Sequence, residues 1–242
     1  MERFYNLSFA QQNIWNVENF ISNTSINNIA ATLKFSEEID LFLLEKAVNL
    51  VLKKNDALRI KVTIINNEPV QYIDSYEYYQ LDCIDLRNYD DPQKPSILLK
   101  SLTETPFQIL DSPLYYGAII RVKNAVYFYF KQHHLIADAW SVILTGDRIL
   151  NYYLKLKNSE NIDEIEEFSY IDSLISEEEY LNSKRFLNNQ NFWKKQTEIN
   201  PEFIYLKNRP KQYSTKAERW SVILPAETSA MITDFCKENN LS

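Results

Sequence analysis

Glycine is nearly missing from this chain of 242 residues: Gly117 and Gly146 are the only two. That argues against a dinucleotide fingerprint or a P-loop, whose backbones need several glycines to approach phosphate. Cysteine is equally scarce, with Cys83 and Cys236 far apart. Two distant thiols make no disulfide framework and fit a reducing compartment. They also speak against a zinc site, which usually takes three or four His, Cys or carboxylate ligands. Basic residues are outnumbered, 26 Lys and Arg against 33 Asp and Glu, and the formal charge of −7 does not suit a general nucleic-acid binder. No run approaches the roughly 18 apolar residues of a membrane span. The start, Met1 to Ser8, lacks the basic region and apolar core of a secretory signal. The expectation is a soluble, cytoplasmic protein with neither nucleic acid nor membrane as a partner.

Apolar side chains make up 45% of the chain and aromatic ones 14%, enough for a sizeable core in one large domain or two small ones. Histidine occurs twice, side by side, in Phe130-Lys131-Gln132-His133-His134-Leu135-Ile136-Ala137-Asp138-Ala139-Trp140-Ser141. An apolar, aromatic run that reads as a strand leads into the pair, and Trp140 to Leu156 has helical spacing. A histidine at such a junction is held by the scaffold yet can reach a cleft, and its ordinary pKa suits proton transfer near neutral pH. Spacing alone leaves open whether either one is catalytic or a satisfied core residue.

The remaining pattern predicts alternating helices and strands. Ser8 caps an opening helix over Leu7–Asn19, with Gln11 completing a capping box and Trp15 in the core. Ile26–Phe35 reads as a strand, and Asp40 caps a helix running to about Lys54. Ala57–Ile65 and Val70–Ile73 form a hairpin turned by Asn66, Asn67, Glu68 and Pro69. A connecting strand and loop over Tyr72–Asp90 leads to a helix from about Pro92 to Thr103. Strands Leu114–Val122 and Ala125–Gln132 turn at Lys123-Asn124 and deliver the histidines. The helix from Asp138 is expected to pack Ile143, Leu144 and Leu150 inward. Beyond it come an acidic loop over Asn158–Glu167 and a helix from Ser176 toward Trp193, its first acids set against its own dipole. A linker at Arg209–Tyr213, a strand at Trp220–Leu224 and a helix at Ala226–Asn239 complete the chain. Arg59 is either a solvated charge or the partner of a buried carboxylate, which its forked donors suit.

The stretch His133 to Ser141 resembles the HHxxxDG motif of condensation domains of nonribosomal peptide synthetases. Leu7 to Trp15 is similar to that family's opening motif, SxAQxRLW, and Lys54-Asn55-Asp56-Ala57-Leu58-Arg59 to its second, RHExLR. Pro106-Phe107 and Pro113-Leu114 fall where the family has a PF…PL pattern, and Phe192-Trp193-Lys194 and Arg209-Pro210 resemble later features. The motifs come in the family's order along the whole chain. Three positions depart from the pattern: Ala139 replaces the motif glycine, Asn55-Asp56 replace His-Glu, and Ile60 stands where Thr is usual.

The resemblance implies an α/β (α+β sandwich) fold like one lobe of chloramphenicol acetyltransferase, a mixed, mostly antiparallel sheet with helices packed on it. Residues 1–210 would be the N-terminal lobe, and 211–242 a linker with the first strand and helix of a truncated C-terminal lobe. The implied reaction is attack by the amine of an acceptor aminoacyl thioester on a donor acyl thioester. Each substrate rides on the phosphopantetheine of a peptidyl carrier protein, with no tightly bound cofactor and no metal. His134 would be catalytic, deprotonating or orienting the amine or stabilising the tetrahedral intermediate; His133 would support the loop. Asp138 and Arg59 would form a structural ion pair bracing His134, so removing either partner would damage folding. The other implied partners are the donor and acceptor carriers, the missing C-terminal lobe and an adenylation domain. Were Met1 the native start, the donor would arrive from another protein or as a free acyl thioester. A non-catalytic carrier-docking lobe, which Ala139 keeps in view, an epimerisation-type relative and a coenzyme A-dependent acyltransferase are the alternatives. Trp140 standing before Ser141 favours condensation over epimerisation.

Overall fold

The structure is a computed structural model that describes residues 3–162, 169–198 and 221–241. The chain divides into two compact units, Met1–Ile199 and Asn200–Ser242. The boundary expected near residue 210, with its Arg209–Tyr213 linker, lies outside the described residues.

In the first unit, β1 (Tyr5–Asn6) leads into α1 (Phe9–Phe20), then β2 (Asn28–Phe35) and α2 (Leu41–Lys54). A 3₁₀ turn (Asp56–Arg59) precedes β3 (Ile60–Ile65), β4 (Glu68–Ile73) and β5 (Asp82–Asp85). The unit continues with α3 (Lys94–Glu104), β6 (Tyr115–Val122), β7 (Ala125–His133), α4 (Ala139–Lys157), α5 (Tyr170–Leu181) and α6 (Lys184–Gln196). The described strands form two sheets, β1-β4-β3 and β2-β7-β6-β5, antiparallel throughout except for the parallel pair β5–β6. This is the expected mixed, mostly antiparallel α/β arrangement.

Most elements follow from local chemistry. Ser8 caps α1 in a full capping box with Gln11, and Asp40 caps α2 through the Leu43 N–H. Asn66 and Asn67, with φ of 52° and 66°, make the two-residue loop between β3 and β4, a left-handed pair that asparagine tolerates. β7 is buried on both faces. Val126, Phe128 and Phe130 enter the main core with α2 and α4, while Tyr129 joins a smaller cluster with Leu98, Leu99 and Leu102 of α3. No helix among the described residues is long and apolar enough to cross a membrane.

Several expectations are corrected. Residues 56–59 coil into a 3₁₀ turn rather than opening the strand, because Arg59 reaches back to the end of α2. The single helix expected from Ser176 is two. α5 starts earlier, at Tyr170, and the chain breaks after Leu181 because Ser183 caps α6 through the Phe186 N–H. Glu177 therefore lies inside α5, and its carboxylate meets the first N–H of a different helix, that of Phe9 in α1. α4 runs on to Lys157; of the acidic loop expected next, residues 163–168 lie outside the described residues.

The second unit contributes one described helix, α7 (Ala226–Glu238). Residues 221–225 form no strand, and Trp220 lies outside the described residues. A strand needs a neighbour to satisfy its backbone donors and acceptors, and none of the described strands pairs with this segment.

The inward face of α4 also differs from expectation. Ile143 and Leu144 are 59% and 42% exposed, whereas Thr145, Ile149, Tyr152 and Tyr153 are buried. Apolar spacing along α4 fits both stripes, and only packing on α2 and the sheet chooses between them. Ile149→Ala is expected to lower unfolding free energy by about 2–5 kcal/mol, as deletions in a filled core do. Ile143→Ala should leave it within about 0.5 kcal/mol; chemical denaturation of both variants checks this.

Candidate active site

The two histidines part company at the end of β7. His133, the last residue of the strand, is 1% exposed. Its backbone N–H donates to Leu114 O at 2.8 Å, and its ring sits edge-on to Phe107. His134 begins the turn beyond the strand, and its side chain is exposed. Its backbone N–H donates to the Asn27 carbonyl at 2.8 Å, which fixes where the imidazole is rooted.

A buried polar cluster shapes that turn. His133 Nδ1 accepts the Leu135 N–H at 3.1 Å, so this nitrogen carries no proton of its own. The proton then sits on Nε2, which donates to Glu18 Oε1 at 3.1 Å. Asn27 Nδ2 donates to the same oxygen at 2.6 Å. Glu18 and Asn27 are themselves buried, at 7% and 9% exposure. From α1, Gln11 Nε2 donates to the Leu135 carbonyl at 2.9 Å and to Gln71 Oε1 at 2.8 Å, while Gln71 Nε2 returns a bond to Gln11 Oε1 at 2.9 Å. The backbone around His134 is thus tied down by the carbonyls of Leu114 and Asn27 and by the Gln11 side chain, while Glu18 holds the ring of His133.

Burial holds the His133 pKa below the ordinary histidine value; its hydrogen bond to Glu18 and that carboxylate's charge pull the other way. The Leu135 N–H on Nδ1 supports the same direction, because a protonated ring has no lone pair to accept it.

The expected ion pair between Asp138 and Arg59 is not formed. Asp138 is exposed and caps α4, its Oδ1 accepting the Ser141 N–H at 2.7 Å and the Ser141 hydroxyl at 2.6 Å. Those two bonds, ahead of the charge of His134, hold its carboxyl below the usual carboxylate range. Arg59 donates from Nη1 to Leu52 O and Lys53 O, both at 2.6 Å, and from Nε to Asp74 O at 3.1 Å. Leu52 and Lys53 belong to the last turn of α2, whose carbonyls have no partner within the helix. Each charge therefore satisfies one end of a helix instead of the other charge. Asp56, in the position of the motif glutamate, does the same for α5, accepting Ser169 Oγ at 2.6 Å and the Tyr170 N–H at 2.8 Å. Ala139 is the first residue of α4, exposed and without a positive φ, so a side chain there costs the backbone nothing.

Sequence reasoning missed Glu18 and Asn27. A signal for the first was available: Gln11, Ile14, Trp15 and Glu18 fall on one stripe of α1, and a carboxylate on an inward stripe needs a buried partner.

With this geometry in view, likeness to known proteins decides the family. Residues 1–242 match the family described as the condensation domain. The chain belongs to the condensation-domain family of nonribosomal peptide synthetases. It is 35% identical over 250 residues to surfactin synthase subunit 1 of Bacillus subtilis (strain 168), a match spanning 99% of this chain and 7% of that protein. It is 31% identical over 245 residues to a plipastatin synthase polypeptide of the same organism, spanning 100% and 10%. Among solved structures, the first condensation domain of the CDA synthetase superposes with a TM-score of 0.80 at 18% identity, over 99% of this chain and 59% of that one. The starter condensation domain of rhizomide synthetase RzmA gives 0.76 at 23%, over 83% and 49%. These structures share the fold. The chain spans a small part of its synthetase relatives and about half of each solved condensation-domain chain.

Two measurements test the buried cluster. Both donors to Glu18 share Oε1, which glutamine retains, so Glu18→Gln should keep the fold within about 1 kcal/mol. Glu18→Leu strands two buried donors at about 1–3 kcal/mol each; urea titration of the two variants gives the comparison. The lowered pKa of His133 also has a signed consequence. Above the unfolded value of about 6.5 both states are neutral. Below it the unfolded chain takes up a proton that the folded ring refuses, so stability falls as pH drops from about 6.5 through the folded pKa. Histidine NMR signals recorded against pH should show the His133 ring still neutral at about pH 6.5.

Proposed function

We propose that this chain is the histidine-bearing N-terminal lobe of a condensation domain, followed by the beginning of the second lobe. The domain joins a donor acyl thioester to the amine of an acceptor aminoacyl thioester, each delivered on the phosphopantetheine of a peptidyl carrier protein. His134 carries the chemistry, taking the proton of the attacking amine, orienting that amine or stabilising the tetrahedral intermediate. Each role needs the imidazole within roughly 3 Å of the nitrogen, or one water away. The observation that carries this reading is the contrast between the two rings: one is buried and satisfied, while its neighbour is exposed on a backbone pinned on both sides. His133 is then the supporting residue, together with Glu18 and Asn27. Asp138 and Arg59 act at a distance, by ending helices. The ordinary helical backbone at Ala139, which needs no glycine, supports this reading over a non-catalytic docking lobe.

With the complementary lobe supplied and both carriers loaded, His134→Ala is expected to reduce amide formation by about 10²- to 10⁴-fold, the usual contribution of a positioned acid–base group. Its melting temperature should match that of the parent chain. Equal product from the variant and the parent would assign the chain a carrier-docking role instead.

A further inference from the structure

Gln132 directly precedes the two histidines, and its side chain is fully buried at 0% exposure. Among the described residues, neither its Nε2 nor its Oε1 has a hydrogen-bond partner. Buried amides are almost always satisfied, because an unpaired donor or acceptor gives up water for nothing. Strand alternation turns Gln132 to the opposite face of β7 from His133. There it lines a cavity of about 240 Å³ between the end of α2, the first half of α4 and the start of α5.

Most of the polar lining is already engaged. Asp56 accepts from Ser169 and Tyr170, the Thr145 hydroxyl donates to Ser141 O, and the Ser141 hydroxyl donates to Asp138. Arg148 is not, and neither are the side chains of Asn55 and Ser173 among the described residues. Half-buried on α4, Arg148 lines the cavity and forms no ion pair among the described residues. Ala57, Leu58, Ile136 and Leu144 supply an apolar wall.

We propose that this cavity binds a small carboxylic acid that also carries a hydroxyl or amino group, an α-hydroxy or α-amino acid with a short aliphatic side chain. A guanidinium recognises a carboxylate through paired donors, so Arg148 selects the acid. Gln132 Nε2 needs an acceptor, which the same carboxylate offers. Gln132 Oε1 needs a donor, which a bare carboxylate lacks and a hydroxyl or ammonium provides. The apolar wall takes the side chain. The volume, below the roughly 300–1,000 Å³ of drug-sized pockets, keeps the ligand small. This site lies apart from the chemistry of His134 and does not rest on it.

The test is calorimetry and thermal melting of the 242-residue chain with L-alanine, L-lactate and acetate, on the parent, Gln132→Leu and Arg148→Met. Either alanine or lactate is expected to bind saturably and raise the melting temperature, and which one does so identifies the donor group. Acetate should bind at least tenfold more weakly, and each variant should lose at least tenfold in affinity for the preferred compound. Should Gln132→Leu not fold, Arg148→Met, at a half-buried helical position, carries the test alone. No binding of any compound would mean the cavity holds water only. That result, equal binding of acetate, or binding unchanged in the variants would overturn the proposal.

Discussion

One buried hydrogen bond organises the end of β7: the neutral ring of His133 donating to Glu18. A carboxylate inside a protein is tolerated only when donors surround it. Here two meet a single oxygen, one from the strand and one from Asn27. The second donor matters as much as the first, because the backbone carbonyl of Asn27 holds the amide of His134. The interaction that makes Glu18 acceptable inside the protein also sets the root of the exposed imidazole. Fixing the backbone while leaving the ring in the open gives the orientation that proton transfer requires without enclosing the group that performs it.

Charged residues of the sequence motifs serve mostly at helix ends. Arg59 covers two carbonyls of α2, Asp138 caps α4, Asp56 caps α5, and Glu177 meets the first N–H of α1. Helix termini leave several donors or acceptors without partners, and a charged side chain satisfies them more strongly than a neutral one. Such placement positions the helices around the turn without bringing two opposite charges together in a dry interior, where desolvation would consume much of their attraction.

Local patterns carried most of the fold. Ser8 with Gln11, Asp40 before an apolar helix, and the β6–β7 hairpin all declare themselves in a few neighbouring residues, and the structure holds each of them. What escaped depended on partners far along the chain. The inward stripe of α4 was ambiguous because Ile143 and Ile149 both fit a helical period, and only packing on α2 and the sheet selects the second. Glu18 and His133 are separated by 115 positions, a distance over which periodicity says nothing. Arg59 was assigned a partner through the family motif, yet the nearest acceptors were carbonyls six and seven residues before it.

Pairing of β2 with β7, from Asn28 opposite His133 to Phe35 opposite Val126, also bears on how the molecule comes into being. During synthesis, α1 and β2 leave the ribosome well before the strand they need. At roughly 5–20 residues per second, the 115 positions between Glu18 and His133 amount to about ten seconds of waiting. Through that interval an acidic side chain destined for the interior stays hydrated, and an apolar strand has an open edge. The turn that roots the imidazole therefore closes only when the nascent chain reaches back to its own beginning.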